Sequence, residues 1–374
     1  MAISVYAPSY DPYDGYGRMA LELIYGLTDA GEYVNPLGSP LLDFDTHTDD
    51  MRNILQKPIK VSTGGLLLGY PTLYESYGAM AAHGRRVAIT MFESTVLPDG
   101  WVDALNKCDV VIVPARWLVK VMKQNGVTVP VECIPLGVSG TFDLPYSIPD
   151  DCTVDYPIKR FMVNGKLRYA REVRQPTERE PFIFLCWGDR GERKGWDVAI
   201  KAFKRAFGDD PRARLLIKSR DGGMAFDIDI PGVDILRADL DEDGLYDLYL
   251  RCDAMIFPSR GEGFGLPPRE FAATGGPVIA TEWWADDIQQ WGYPLKYTMQ
   301  PAWDGHPRHD GLGEWSEPDG AHLAQLMRHV YDQNPGVLAY MGQRAADRIQ
   351  RLYRWGAFVN AVQAVWEGEH ARSK

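Results

Sequence analysis

The chain has 374 residues, 45% of them hydrophobic and 24% charged, which is the composition of a globular protein with two or three domains. Disorder, collagen-like repeats and a disulfide miniprotein are excluded. Forty basic against 51 acidic residues leave a net charge of −11, so bulk electrostatics gives no general signal for nucleic acid or an anionic membrane. No apolar run approaches the roughly 20 residues that span a bilayer. The start, MAISVYAPSYDPYDGYG, lacks a basic segment followed by an apolar one, and no signal peptide is read there. Five scattered cysteines (Cys108, Cys133, Cys152, Cys186 and Cys252) form no Cys-x-x-Cys pair. That pattern favours reduced thiols and a cytoplasmic location over a disulfide framework or a zinc site.

In chain order, short β-rich runs alternate with helical patterns. Strands are expected at Ile3–Pro8, Val61–Tyr70, Arg86–Phe92, Val110–Pro114 and Val131–Leu136, with helices at Arg18–Ala30, Thr72–His83, Gly100–Lys107 and Ala115–Asn125. A second series begins at Phe182–Gly188 and continues with strands at Ala213–Lys218, Val233–Leu236, Ala254–Pro258 and Pro277–Thr281. Its helices fall at Trp196–Phe207, Asp243–Arg251 and Pro267–Ala273. Such alternation predicts α/β domains with parallel sheets. The polar stretch 144–181 reads as a connection, with Ile158–Val173 as a hairpin or flap. An internal echo, Lys107-Cys-Asp-Val-Val-Ile-Val-Pro114 beside Arg251-Cys-Asp-Ala-Met-Ile-Phe-Pro258, is expected to mark matching places in two similar halves. Past Asp319 the pattern is helical to the end.

The most informative segment is Phe257-Pro-Ser-Arg-Gly-Glu-Gly-Phe-Gly-Leu-Pro-Pro-Arg-Glu270. It follows a predicted strand and opens a helix whose first turn tolerates Pro267 and Pro268, because those positions lack an intrahelical N–H partner in any case. Gly261, Gly263 and Gly265 let backbone amides approach a ligand, and a helix N-terminus there favours an anion. Glu262 and Glu270 stand eight apart. These residues, with Gly-Gly-Pro-Val-Ile-Ala-Thr at 275–281, resemble the E-x7-E signature of retaining glycosyltransferases of the GT-B architecture, family 4 type.

The resemblance implies two Rossmann-like domains facing a central cleft: an acceptor-side domain over 1–143, rejoined by a C-terminal helix at 353–374, and a nucleotide-sugar domain over 182–352. It implies transfer of a hexose from a UDP- or GDP-sugar to a hydroxyl acceptor with retention of configuration. Glu262 would contact sugar hydroxyls, Glu270 the ribose, and the amides of Gly263, Phe264, Gly265 and Leu266 the donor. In Cys186-Trp-Gly-Asp-Arg-Gly-Glu-Arg-Lys-Gly195 the family's basic pair maps Lys194 onto its lysine, with either Arg190 or Arg193 as the arginine on the diphosphate. The early loop Asp11-Pro-Tyr-Asp-Gly-Tyr-Gly17 resembles the family's N-terminal glycine loop. Gly15 and Gly17 would face the donor there, unless they form a plain tight turn, and Tyr16 and Glu93 are acceptor-side candidates. The acceptor class, whether glycan, protein, lipid or modified nucleobase, is open.

No cofactor and no metal are expected. The Asp-x-Asp pairs Asp227-Ile-Asp229 and Asp239-Leu-Asp241 adjoin neither glycine loop, and His306 and His309, in a long loop at Met299–Trp315, fit no standard metal spacing. A GT-B phosphorylase, a sugar-nucleotide epimerase and a non-catalytic nucleotide-sugar binder are the alternatives.

Overall fold

The apolar runs assemble into two six-stranded parallel sheets in a computed structural model of the chain. The structure describes residues 2–38, 47–78, 84–143, 158–163, 166–171, 176–177, 180–188, 192–220, 229–303, 305 and 310–368. The first sheet is built from β1 (Ala2–Ala7), β2 (Tyr33–Gly38), β3 (Ser62–Leu68), β4 (Arg85–Ile89), β5 (Val110–Val113) and β6 (Val131–Cys133). Its helices are α1 (Gly15–Asp29), α2 (Asp49–Leu55), α3 (Trp101–Leu105) and α4 (Arg116–Gln124). The strand order is β2-β1-β3-β4-β5-β6. Alternate strand residues Tyr6, Leu67, Ala88, Val111 and Val113 turn one way and pack on Trp101, Leu105, Leu118 and Met122, as the two-residue period of a strand requires.

β7 (Ile158–Val163) and β8 (Lys166–Arg171) pair antiparallel as a separate hairpin. The second sheet comprises β9 (Phe182–Trp187), β10 (Ala213–Ser219), β11 (Val233–Arg237), β12 (Ala254–Phe257), β13 (Val278–Thr281) and β14 (Tyr293–Leu295), in the order β11-β10-β9-β12-β13-β14. Helices α5 (Trp196–Phe207), α6 (Glu242–Arg251) and α7 (Leu266–Ala273) join its strands, followed by β15 (Tyr297–Trp303), β16 (Asp310–Pro318), α8 (Gly320–Asp332), α9 (Pro335–Leu352) and α10 (Trp355–Glu367). Phe184, Leu215, Ile217, Ile256 and Ile279 of this sheet form one core with Phe203 and Phe207 of α5 and Leu323 and Met327 of α8. The chain divides into two compact units, Met1–Gly137 with Tyr353–Lys374, and Val138–Leu352. Within the first, α10 packs on α1 and buries Phe358 and Val362.

Four expectations change. Thr72–His83 is not a helix where described: a 3-10 turn at Pro71–Leu73 is followed by turns to Gly78, and Pro71 with Gly78 explains the failure to propagate. The early helix begins at Gly15, because Asp14 caps it by accepting a hydrogen bond from Gly17 N at 2.9 Å. The segment Met299–Trp315 is no loop but the antiparallel pair β15–β16, with 304 and 306–309, and hence His306 and His309, outside the described residues.

The internal echo has a different basis from the expected one. β5 is the third strand beyond the point where its sheet reverses order, whereas β12 is the first beyond its own. What the two segments share is a local device for starting a strand beside its neighbour. Asp109 N donates to Arg86 O at 2.8 Å while Asp109 Oδ2 accepts from Arg86 N at 2.7 Å. Asp253 N likewise donates to Ile183 O at 2.9 Å, and its Oδ2 accepts from Ile183 N at 2.8 Å. Each Asp supplies a side-chain acceptor where the next backbone carbonyl is missing. Asp253→Ala should therefore destabilise the second unit, and Asp109→Ala the first, by about 1–3 kcal/mol for a stranded donor. Asn at either position, which keeps the acceptor oxygen, should recover most of that loss in urea unfolding; equal losses for Ala and Asn would refute this account.

Candidate functional site

β12 is fully buried, and Pro258 ends it, since it has no N–H to extend the ladder. The next seven residues, 259–265, are also buried, and a buried loop must pair its backbone polar groups inside the protein. Three segments supply the partners. From the 3-10 turn at Glu192–Lys194, Arg193 Nη1 donates to Gly261 O at 2.6 Å, and Arg193 O accepts from Arg260 N at 2.7 Å. From β16, Ser316 donates to Arg260 O through both N (2.9 Å) and Oγ (2.7 Å). From the segment after β13, Trp284 Nε1 donates to Ser259 O at 2.9 Å.

Two arginines lock this frame. Arg260, only 5% exposed, donates to both Asp197 oxygens at 3.0 and 3.1 Å and to both Glu317 oxygens at 2.6 and 3.1 Å. Burial opposes its charge, but the hydrogen bonds and attraction of Asp197 and Glu317 outweigh burial and hold its pKa above the ordinary arginine value. Arg269, equally buried on α7, bonds Phe264 O and Gly265 O across the turn into the helix and reaches Asp287 Oδ1 at 3.0 Å.

Inside the frame, three donors converge on one oxygen of Glu262. Lys194 Nζ lies 2.6 Å, Ser259 Oγ 2.8 Å and Arg193 Nη1 3.3 Å from Glu262 Oε1. No described residue donates to Oε2. Lys194 reaches this position because the following Gly195 has φ +68°, and a Cβ there would lie 1.9 Å from Pro258 O. Glu270, on α7, belongs to a neighbouring cluster: its Oε2 accepts from Tyr249 Oη at 2.9 Å in the interior. Tyr249 in turn meets Phe142 and Trp187, and Lys218 Nζ stands 4.3 Å over the Trp187 ring. The structure thus brings Lys194, Arg193 and Glu262 together, beside the buried residues Gly263, Phe264 and Gly265 and the half-buried Leu266. Arg190 lies outside the described residues.

In the first unit, Tyr16 joins α1 to the end of β4, donating to Met91 O at 3.2 Å and accepting from Met91 N at 3.1 Å. Burial, then Tyr70 and Glu93, push its pKa above the ordinary tyrosine value, so it stays a neutral phenol. Glu93 is half-buried, just beyond β4. Gly17 is glycine for a packing reason, since a Cβ would meet Asp11 O at 2.2 Å, and its amide is engaged by Asp14. Gly15 has open space around its Cα and lies in the first helical turn.

Sequence reasoning did not single out Ser259, Arg260, Arg269, Tyr249 or Lys218. Ser259 and the two arginines lay inside the quoted motif, and a buried loop's need for donors was the available signal. Nothing in the sequence pointed to Tyr249 or Lys218, because their relevance comes from strand order. The nearby Cys186 thiol on β9 is pushed up to about 12, chiefly by burial, and offers no thiolate nucleophile. Asp241 caps α6 by accepting from Gly244 N at 2.8 Å, Asp239 and Asp229 are exposed, and Asp227 is outside the described residues. Among the described residues no three His, Cys, Asp or Glu side chains are grouped as a metal site, and no helix is long and apolar enough to cross a membrane.

Residues 181–292, which contain Arg193, Lys194, Glu262 and Glu270 but not Phe142, Ser316 or Glu317, match the family model described as glycosyl transferases group 1. No curated protein matches the chain in sequence. Solved structures share its fold. A glycosyltransferase from Rickettsia africae superposes with TM-score 0.68 at 13% identity, covering 100% of this chain and 99% of that one. Sucrose-phosphate synthase from Thermosynechococcus elongatus gives 0.65 at 14%, covering 98% of each. A UDP-forming α,α-trehalose-phosphate synthase from Burkholderia xenovorans, in complex with glucose-6-phosphate, gives 0.59 at 9%, covering 85% and 75%. The chain has the GT-B fold, with a glycosyl transferases group 1 domain in its second half.

Gly195→Ala tests the frame. A side chain at a left-handed position that also strikes Pro258 O should destabilise the second unit by about 1–3 kcal/mol in a thermal melt. An unchanged melt would show that this close approach is not needed.

Proposed function

We propose that the chain is a retaining glycosyltransferase that moves a hexose from a nucleoside diphosphate sugar to a hydroxyl acceptor without a divalent metal. The observation that carries this reading is the half-engaged carboxylate of Glu262. Its Oε1 is held by Lys194, Ser259 and Arg193, and its Oε2 takes no donor from the described residues. A carboxylate fixed in this way presents one oxygen to ligand hydroxyls at little cost in side-chain entropy. Lys194 and Arg193, with Arg190 as a further candidate, offer positive charge to a diphosphate leaving group, and the amides around Phe264–Leu266 at the start of α7 favour the same anion. The UDP-forming relative and the group 1 domain support a nucleoside diphosphate donor.

In the proposed reaction the bond from the anomeric carbon to the diphosphate oxygen breaks while the acceptor oxygen bonds on the same face. The leaving phosphate oxygen takes the acceptor proton. The protein contributes position and electrostatic stabilisation, and no protein nucleophile is assigned. Glu270 is assigned to the ribose, Gly263 and Gly265 to the donor, Gly15 and Gly17 to a donor-facing turn, and Tyr16 and Glu93 to the acceptor. We place the enzyme in the cytoplasm.

A panel of UDP-, GDP- and ADP-sugars with simple hydroxyl acceptors tests the activity, read as transferred sugar and its anomeric configuration. An inverted product, release of free sugar phosphate that requires inorganic phosphate, or an epimerised donor would each overturn the assignment. Lys194→Ala and Glu262→Ala should lower turnover at saturating donor by roughly 100–1,000-fold, the size expected for an electrostatic transition-state contact. Wild-type turnover in both variants would remove these residues from the site. Glu270→Gln should raise the donor KM more than it lowers kcat, the signature of lost uniform binding.

Metal independence is tested separately. Excess EDTA should leave turnover within about twofold, whereas losing a Lewis-acid metal removes several kcal/mol of stabilisation. Activity abolished by EDTA and restored by magnesium or manganese would overturn that part of the proposal.

A further inference from the structure

A cavity lies at the end of the same sheet opposite the candidate site. All strands of the second sheet are parallel, and the candidate site follows the carboxyl end of β12. The cavity, of about 680 Å³, is lined by Pro277 and Tyr293 at the amino ends of β13 and β14, by Trp291, and by Arg344, Arg348 and Arg351 of α9. Its volume falls within the range of small-molecule sites, roughly 300–1,000 Å³. The backbone of α9 comes unusually close here: a Cβ on Gly342 would lie 1.9 Å from Gly275 O. The helix thereby meets the turn that follows α7, and this contact forms one wall of the cavity.

The three arginines stand at i, i+4 and i+7, hence on one face of α9. None has a carboxylate within ion-pair distance among the described residues. Arg344 and Arg351 are exposed, and Arg344 lies 5.9 Å from the Tyr340 ring. Arg348 is half-buried, donates to Gln290 Oε1, and keeps a buried Nε with no acceptor. Trp291, only 3% exposed, has a buried indole Nε1 that also lacks an acceptor. A guanidinium drawn partly out of water without a counter-ion is unfavourable unless an anion completes it. Elsewhere in this unit the more deeply buried arginines have carboxylate partners, two for Arg260 and one for Arg269, although Arg269 also keeps a buried Nε without an acceptor. In a chain of net charge −11, the lining sets three guanidiniums against one carboxylate, Asp347, which leaves a local positive excess around the cavity.

We propose that this cavity binds a small phosphorylated, hydroxyl-bearing molecule, with its phosphate on Arg344, Arg348 and Arg351. Planar guanidinium forks match phosphate oxygens in pairs, which a lysine cluster does not. The exposed Asp347 carboxylate, on the same helix and lining the same cavity, supplies an acceptor for ligand hydroxyls. The site is separate from the proposed donor site but physically connected to it. The Arg269 guanidinium lies 5.0 Å from the Trp291 ring and donates to Phe264 O in the site loop.

Calorimetric titration with ribose 5-phosphate, and separately with inorganic phosphate, tests the proposal on the full chain. One equivalent of ribose 5-phosphate should bind, more tightly than inorganic phosphate. The double variant Arg344→Gln, Arg351→Gln changes only exposed side chains and should weaken binding by roughly a hundredfold, about tenfold per lost charge-assisted contact. Lys194→Ala should leave this affinity unchanged. No heat at millimolar ribose 5-phosphate would overturn the proposal, as would full affinity in the arginine variant. Binding lost in Lys194→Ala and kept in the arginine variant would place the anion at the candidate donor site instead. Because the readout is binding alone, the glycosyltransferase assignment stands or falls separately.

Discussion

The candidate site depends on one constraint: the buried segment 258–265 belongs to neither strand nor helix, so its backbone polar groups must be completed by contacts from other segments and side chains. Arg193, Arg269, Ser316 and Trp284 each spend a donor on a loop carbonyl. Because Arg193, Ser316 and Trp284 come from three separate segments, these contacts draw those segments to the loop. The same contacts that satisfy the loop therefore assemble the site. Arg193 shows this directly, since its Nη1 serves the Gly261 carbonyl and the Glu262 carboxylate together.

The two sheets differ in a way that matters for where ligands bind. In the first, the strand order reverses between β1 and β3; in the second, between β9 and β12. Open α/β sheets hold ligands at the carboxyl ends of strands beside such a reversal. In the second unit the reversal separates the loop after β9, carrying Arg193 and Lys194, from the loop after β12, carrying Glu262. Their convergence on one carboxylate follows from strand order before any side chain is considered. In the first unit Tyr16 lies in the first turn of α1, just past the loop after β1, and is held against Met91 beyond β4.

Most strands were legible because each is short and built around an apolar run, often bounded by Asp, Gly or Pro. α5 was legible to the residue, since its apolar face is regular and Gly195 and Gly208 flank it. β2 was not: Tyr33–Gly38 contains Asn35 and Pro36 and lies at the sheet edge, where a proline is tolerated and the apolar signal is weak. The β15–β16 pair was hidden for a related reason. Its stability comes from cross-strand pairing and from the Ser316 and Glu317 contacts to Arg260, neither of which leaves a periodic trace in sequence. At the site, Glu262 and Lys194 were legible as a motif. The half-engaged state of Glu262 was not, because it arises from three donors brought together by tertiary structure.

The buried charges near the loop fall into two kinds, and the distinction separates scaffold from chemistry. Arg260 is completed by Asp197, Glu317 and the Glu192 carbonyl, and an ion pair closed in that way gives up its interactions with solvent and ligands alike. Removing one partner of such a pair strands a charge, so its role is to fix geometry. Glu262 is different. Its three donors crowd onto Oε1, which orients the carboxylate without exhausting it. Additional neutralising partners on Oε2 would hold the side chain no more firmly, and they would compete with any ligand hydroxyl for that oxygen. Anchoring through one oxygen while leaving the other unengaged is therefore the arrangement that combines rigidity with capacity to bind, and within the buried loop Glu262 is the only carboxylate placed to supply it.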